Sequence, residues 1–347
     1  MNSPDRARGM GLVELLVWAA LAMLVITVVG TIYVNSKQVT RVNDTLSRLQ
    51  ENGRFAVHLL DRDFRMAGFR GCNTLGSVIA VGAVNVLNSA AYPYQFAVSV
   101  VAYHGSSGAW SPSLDSSIST LSPAPLANTD VITIRTIDGL GAQLTAKMAD
   151  SSAPITVSPG SSFATGDVMM VADCSNYAIF NATNFNPATG VISHDAGAGV
   201  PGNSIQDLGH VFSPDSAAAV YRLVTRTYYV APSVRRPGTN SLWVNSTPAY
   251  DGQAQPEEMV EGVDNVSLLF GEDLDADGAA NRYVAANTVG AWANVVSVKP
   301  QLLLATVRDN MATSPQPYTF NGTTTTPTDK RIRAVLSSVI TLRNRVP

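Results

Sequence analysis

The chain has 347 residues and a formal net charge of −3 from 23 basic and 26 acidic residues, with 46% hydrophobic and only 14% charged positions. Charge falls well below the roughly 25% usual for a soluble domain. These values exclude a disordered polyampholyte, a coiled-coil rod and a basic nucleic-acid binder, and leave room for two or three domains of about 100–200 residues.

Asp5, Arg6 and Arg8 precede Gly9, and Met10-Gly11-Leu12-Val13-Glu14 leads into Leu15 to Val34, a stretch without charge or Pro. That length spans a bilayer as a helix, and the two Arg before it predict a cytoplasmic N-terminus. The stretch is too long for the apolar part of a secretory signal, and no A-x-A follows it. Glu14 interrupts the apolarity at a cost of up to roughly 3 kcal/mol at a helix centre, so something must offset it. A short basic leader ending in Gly, then an acid near the start of a long apolar helix, resembles a type IV prepilin signal. The resemblance implies that a prepilin peptidase cuts the Gly9–Met10 bond and methylates the new N-terminus at Met10. It also implies that Glu14 pairs with the terminal amine of a neighbouring subunit during assembly. Met10 stands where that family usually has Phe, and Gly11 where it usually has Thr or Ser.

No Pro occurs between Pro4 and Pro93. Val42, Leu46, Leu49, Phe55, Leu59, Leu60 and Phe64 follow mostly in steps of three or four, a loose apolar stripe. Arg41, Arg48, Arg54, Asp61 and Arg62 fall between them. One helix is therefore predicted from about Met10 to about Ala67, roughly 85–90 Å long. Gly68 and Gly71 are its stop signals, and Gly30 and Gly53 are points where it can bend.

Beyond residue 72 the period changes. Gln95 to Tyr103, Asp130 to Ile137, Asp167 to Ala172, Val220 to Val230, Ser241 to Val244, Glu261 to Phe270 and Val295 to Val307 read as strands of an antiparallel or mixed sheet. Gly105-Ser106-Ser107-Gly108 and the tract Asp195 to Gly202 read as turns, and Phe320 to Thr328 as an exposed loop. Charge is sparse here, with six basic and thirteen acidic residues between 74 and 262. A neutral, Ser/Thr/Asn-rich stretch of this kind is typical of secreted β-rich domains.

Several pieces of the chain are similar to PilW-family minor pilins. They are Arg48 to Ala56, Asp63 to Cys72, Gly166-Asp167 with Val171-Ala172-Asp173-Cys174, Val260-Glu261-Gly262-Val263, and Leu342-Arg343-Asn344. Residues of about 75–125 and 185–215 resemble nothing recognisable.

Cys72 and Cys174 are the only cysteines. They lack C-x-x-C spacing and His partners, which argues against a metal site. A disulfide and a pair of buried thiols both remain open. An extracytoplasmic location favours the disulfide, whose loop of about 100 residues would stabilise the fold by roughly 4–5 kcal/mol in the chain-entropy view. The PilW resemblance agrees with pairing.

Glu272-Asp273-Leu274-Asp275-Ala276-Asp277-Gly278 places Asp at loop positions 1, 3 and 5 and Gly at 6, the start of an EF-hand-type Ca²⁺ loop. Asn281 falls at position 9, but Val284 occupies position 12, where a bidentate Glu belongs. The loop reads either as a solvated Asp-Gly turn or as a weak Ca²⁺ site of Asp273, Asp275, Asp277 and Asn281. No cofactor is otherwise indicated. Gly197-Ala198-Gly199-Val200-Pro201-Gly202 fits G-x-G-x-x-G, yet Pro201 argues for a loop rather than a dinucleotide site. His58, His104, His194 and His210 show no zinc spacing, Trp110, Trp243 and Trp292 read as core or strand residues, and no acid–base constellation emerges. The chain is not read as an enzyme.

The expected architecture is α+β, a type IV pilin fold with a long N-terminal helix packed on a β-rich periplasmic domain. Its expected parts are a leader at 1–9, a transmembrane and assembly half of the helix at 10–34, an amphipathic half at 35–71, and an extracytoplasmic domain at 72–347. The resemblance implies a minor pilin that primes type IV pilus assembly and enters the pilus, at its tip, from the inner membrane. It implies contacts with other minor pilins, the major pilin, prepilin peptidase, the inner-membrane assembly platform and a tip adhesin. Cell adhesion and twitching motility would follow; nucleic acid would not be a partner. Two alternatives are a J-type pseudopilin of a type II secretion system and a membrane-tethered Ca²⁺-dependent binding module.

Overall fold

The computed structural model describes residues 11–71, 83–197, 199–248 and 255–345. The leader at 1–9, the Gly9–Met10 bond and Cys72 lie outside the described residues.

Helix α1 runs unbroken from Leu12 to Met66, 55 residues or about 80 Å at 1.5 Å per residue. Every residue from 11 to 41 is exposed. The buried ones are Thr45, Leu49, Gly53, Ala56, Leu59, Leu60, Asp63 and Phe64. Their steps of mostly three and four put them on one face. Phe55, expected on that face, is 46% exposed on another. Gly53, expected as a point where the helix can bend, is buried against the domain. A Cβ there would fall on the Leu304 side chain. The helix stops as expected, with Gly68 in the left-handed region at φ 71 and its N–H donating to the Arg135 carbonyl.

Strands follow in chain order. They begin with β1 (Ala83–Asn85), β2 (Val100–Ser106), β3 (Ala109–Ser111), β4 (Val131–Gln143) and β5 (Ile155–Thr156). Next come β6 (Val168–Ala172), β7 (Tyr177–Asn181), β8 (Asn184–Asn186), β9 (Val191–Ser193) and β10 (Ala219–Pro232). Then come β11 (Asn240–Thr247), β12 (Glu257–Glu261), β13 (Val263–Glu272), β14 (Arg282–Ala285) and β15 (Val295–Ala305). The last are β16 (Tyr318–Phe320), β17 (Thr323–Thr325), β18 (Arg333–Ser337) and β19 (Ile340–Thr341).

All seven sequence-predicted strand segments contain strand. Two expectations need correction. Glu261 to Phe270 is not one strand: Gly262, at φ 80, breaks it into β12 and β13. Phe320 to Thr328 is not only loop, because β16 and β17 pair as a hairpin, although β17 is fully exposed.

The larger sheet has nine strands along the path β1-β7-β6-β10-β4-β2-β3, with β11 and β12 continuing from the C-terminal half of β10. A second sheet, β14-β13-β15-β18, also carries β19 on β15. β10 is the axis of the large sheet. Tyr228 and Val230 face the core shared with α1, while Tyr229 and Ala231 face a separate cluster with Trp243. Alternate residues of a strand point to opposite faces, so both faces are covered here. That is why β10 is buried on both faces from Leu223 to Ala231, its buried Arg226 being paired. The α1 core joins both sheets, drawing Leu242 and Val244 from one and Val266, Leu268, Leu302 and Leu304 from the other.

Candidate functional site

The first half of α1 presents a long run of exposed apolar side chains. Leu12, Val13, Trp18, Met23 and Ile26 are each more than 60% exposed. The helix is long and apolar enough to cross a membrane. Glu14 lies in its first turn and forms no ion pair with another described residue. A lone acid at the head of an exposed apolar helix can serve as the partner of a cation brought by another molecule.

A buried ionic cluster fixes α1 to the domain. Asp63 is 2% exposed. It accepts from Arg226 Nη1 at 3.0 Å and from the Tyr228 hydroxyl at 2.7 Å. Arg226 also donates to Asp138 Oδ1 at 2.8 Å, and Arg222 to Asp138 Oδ2 at 2.6 Å. Burial alone would raise the Asp138 carboxyl, but the two guanidinium groups outweigh it and hold it low. Burial, and then the Asp63 carboxylate, push the Tyr228 hydroxyl well up, so it stays a neutral donor. Sequence reading placed Arg62 and Asp61 between the apolar positions and missed Asp63. The available signal was an acid at stripe spacing, between Leu60 and Phe64.

The far end of the helix is capped by the C-terminal segment. Asn344 Nδ2 donates to the carbonyls of Arg65 at 3.4 Å and Ala67 at 3.2 Å. These are among the carbonyls a helix end leaves without intrahelical partners. Leu342 beside it is fully buried.

The carboxylates of Asp273, Asp275 and Asp277 converge, with one oxygen of each within 4.8 Å of the others. Asp273 already accepts from the Ala276 and Gly278 N–H groups at 2.7 and 2.9 Å. Burial works to raise its carboxyl, but these donors hold it low. Asn281 joins the cluster through Nδ2, which donates to Asp275 at 3.1 Å, while its Oδ1 accepts from Leu274 N–H. The sequence-predicted residues are therefore together, but Asn281 presents its nitrogen to the carboxylates. Cys174 is disulfide-bonded.

Among the described residues, two of the clefts on the domain are sizeable. One, of about 670 Å³, lies between α1 and the β12 edge and is lined by Arg48, Phe55, Arg235, Glu261 and Arg308 among others. The other, of about 340 Å³, is framed by the β16–β17 hairpin, with His104 and Asp130 at its wall. In the sequence His104 stands out only as one of four histidines without zinc spacing.

The arrangement defines a class: a β-rich domain carried on one long helix whose free half suits a membrane. Residues 227–344 match the family model of PilW, the type IV pilus-assembly protein W. The match supports a role in type IV pilus assembly and interaction with other pilus components. It covers β11 to β19 and the end of β10, including Tyr228, Val260 to Val263 and Leu342 to Asn344. The similar pieces at 48–72 and 166–174 lie outside it. No curated protein and no solved structure matches the chain.

Proposed function

We propose that this chain is a minor pilin, made with a prepilin leader, cut at Gly9–Met10, methylated at Met10 and built into a type IV pilus at or near its tip. The observation that carries the reading is the division of α1. Its first half is apolar and wholly exposed, with Glu14 at its head, and its second half is bolted to the domain through Asp63. An apolar helix held this way leaves lipid for a helical bundle without the domain rearranging. In the bundle, Glu14 meets the terminal amine of a neighbour, and the charge pair offsets the burial of each. The Cys72–Cys174 disulfide belongs to the same proposal: it ties the end of α1 to the turn after β6. Partners are the major pilin, other minor pilins, prepilin peptidase, the inner-membrane platform and a tip adhesin.

Glu14→Ala tests the mechanism. Leader removal is expected to continue, while incorporation into sheared filaments drops; normal incorporation contradicts the reading. A second element is Ca²⁺ binding at the Asp273–Asp277 loop, favoured by the convergence of three carboxylates. Calorimetric titration of the full chain with Ca²⁺ checks it. Heat release lost in Asp275→Asn supports the site, and absence of heat removes it.

A further inference from the structure

We propose that the pocket framed by the β16–β17 hairpin binds a neutral saccharide, a function independent of assembly. No Lys, Arg or Glu lines it. Its one carboxylate, Asp130, is 2% exposed and fully engaged. Oδ1 accepts from the Gly105 N–H at 3.0 Å and is 2.9 Å from His104 Nδ1, and Oδ2 accepts from the Leu268 N–H at 2.7 Å. An anionic or cationic ligand would find no opposite charge to spare. What the pocket offers is neutral hydrogen-bonding chemistry. The amides of Asn128, Asn265 and Asn321 and the hydroxyls of Ser267 and Thr323 line it beside the rings of Tyr318 and Phe320. Donors and acceptors around an apolar ring face match a sugar, which is polar at its edge and apolar on its C–H face.

The wall is organised in advance. Asp130 fixes the His104 ring through Nδ1, which leaves Nε2 for another partner. Asn265 Nδ2 donates to the Asn128 carbonyl at 3.1 Å. The Tyr318 ring lies under the Arg333 guanidinium, 5.3 Å from it, and Arg333 is itself held by Asp329 and Asp264. Thr319 and Thr324 pair across the hairpin at 2.9 Å. A preformed site loses less freedom on binding. The volume, about 340 Å³, sits at the low end of the roughly 300–1,000 Å³ of small-molecule sites, the size of a mono- or disaccharide.

Saturation-transfer NMR on the full chain in a sugar-free detergent tests the proposal, with D-glucose, D-galactose, D-mannose and N-acetyl-D-glucosamine as probes. At least one sugar is expected to receive saturation. Asn265→Ala and Phe320→Ala are expected to weaken its binding about tenfold or more, the scale of one lost hydrogen bond or stacking face. Phe320→Tyr, which keeps the face, and the remote Leu140→Ala are expected to retain it. A response to N-acetyl-D-glucosamine alone indicates an N-acetylated glycan as the ligand, and a response to the plain hexoses a hexose-containing one. Absence of transfer to all four sugars, or equal transfer in Phe320→Ala and Phe320→Tyr, overturns the proposal.

Discussion

At Asp63 a carboxylate occupies the buried stripe of a helix whose neighbouring stripe members are Leu and Phe. Its cost is offset by the Arg226 guanidinium and the Tyr228 hydroxyl, both on β10. Removing one partner of such a pair leaves the other charge buried, which typically costs about 3–5 kcal/mol. Asp63→Ala should therefore destabilise the full chain by that amount in denaturant titrations. Asp63→Leu combined with Arg226→Met should recover more than half of it; equal loss in both would show that the pair does more than compensate itself. Gly53 makes a second residue-scale test. Gly53→Val must displace Leu304, which is 3% exposed, and overpacking of this kind costs about 1–3 kcal/mol. A lowered melting temperature is expected. The acid limb of stability gives a third. Asp329 is held down to about 2 from an ordinary 3.8, chiefly by its hydrogen bonds from Arg333. A carboxyl with a depressed folded-state pKa contributes stability above its unfolded value, and that contribution is lost as pH falls through the folded value. Between about pH 4 and pH 2, the melting temperature of the wild-type chain should fall more steeply than that of Asp329→Asn.

At the scale of elements, α1 was legible in the sequence because its signals are long. A charge-free run, a missing Pro and a three-four apolar step persist over many residues, and Gly68 ends them. The main strands were legible from their length and composition, since β10 is rich in Val, Tyr and Thr and β15 in Val and Leu. The short strands were not. β1, β3, β8, β9, β16 and β17 have three residues each, too few to set a period. The break at Gly262 was hidden because Val263 resumes the apolar pattern at once. The pocket at His104 was invisible for a related reason: β2, β4, β13 and the hairpin meet there only through the sheet topology. Asn344 yields an element-scale prediction. Asn344→Ala should remove the donor at the helix end and cost about 1 kcal/mol, read as earlier loss of α1 packing in hydrogen exchange around Arg65. The apolar half yields another. Val25→Arg places a charge at mid-span, worth about 2.5–3.5 kcal/mol against insertion, and should shift the chain from the membrane fraction to the soluble one.

At the scale of the whole molecule, the two halves of α1 have different tasks. The buried half holds the domain through Asp63, Gly53 and the Asn344 cap. The exposed half is long and apolar enough to cross a membrane, and in the proposed function it is the part that exchanges lipid for other helices. The match to PilW over residues 227–344 takes in part of the domain that packs against the buried half, with Arg226, Val100 and Ile132 lying outside it. In the proposed function this chain travels from membrane to filament after losing its leader. The intact mass of the protein recovered from sheared surface filaments reads out each of those steps. The expected mass is that of Met10 to Pro347 with one added methyl and two hydrogens fewer. Recovery only from membranes, with the chain starting at Met1, would contradict it.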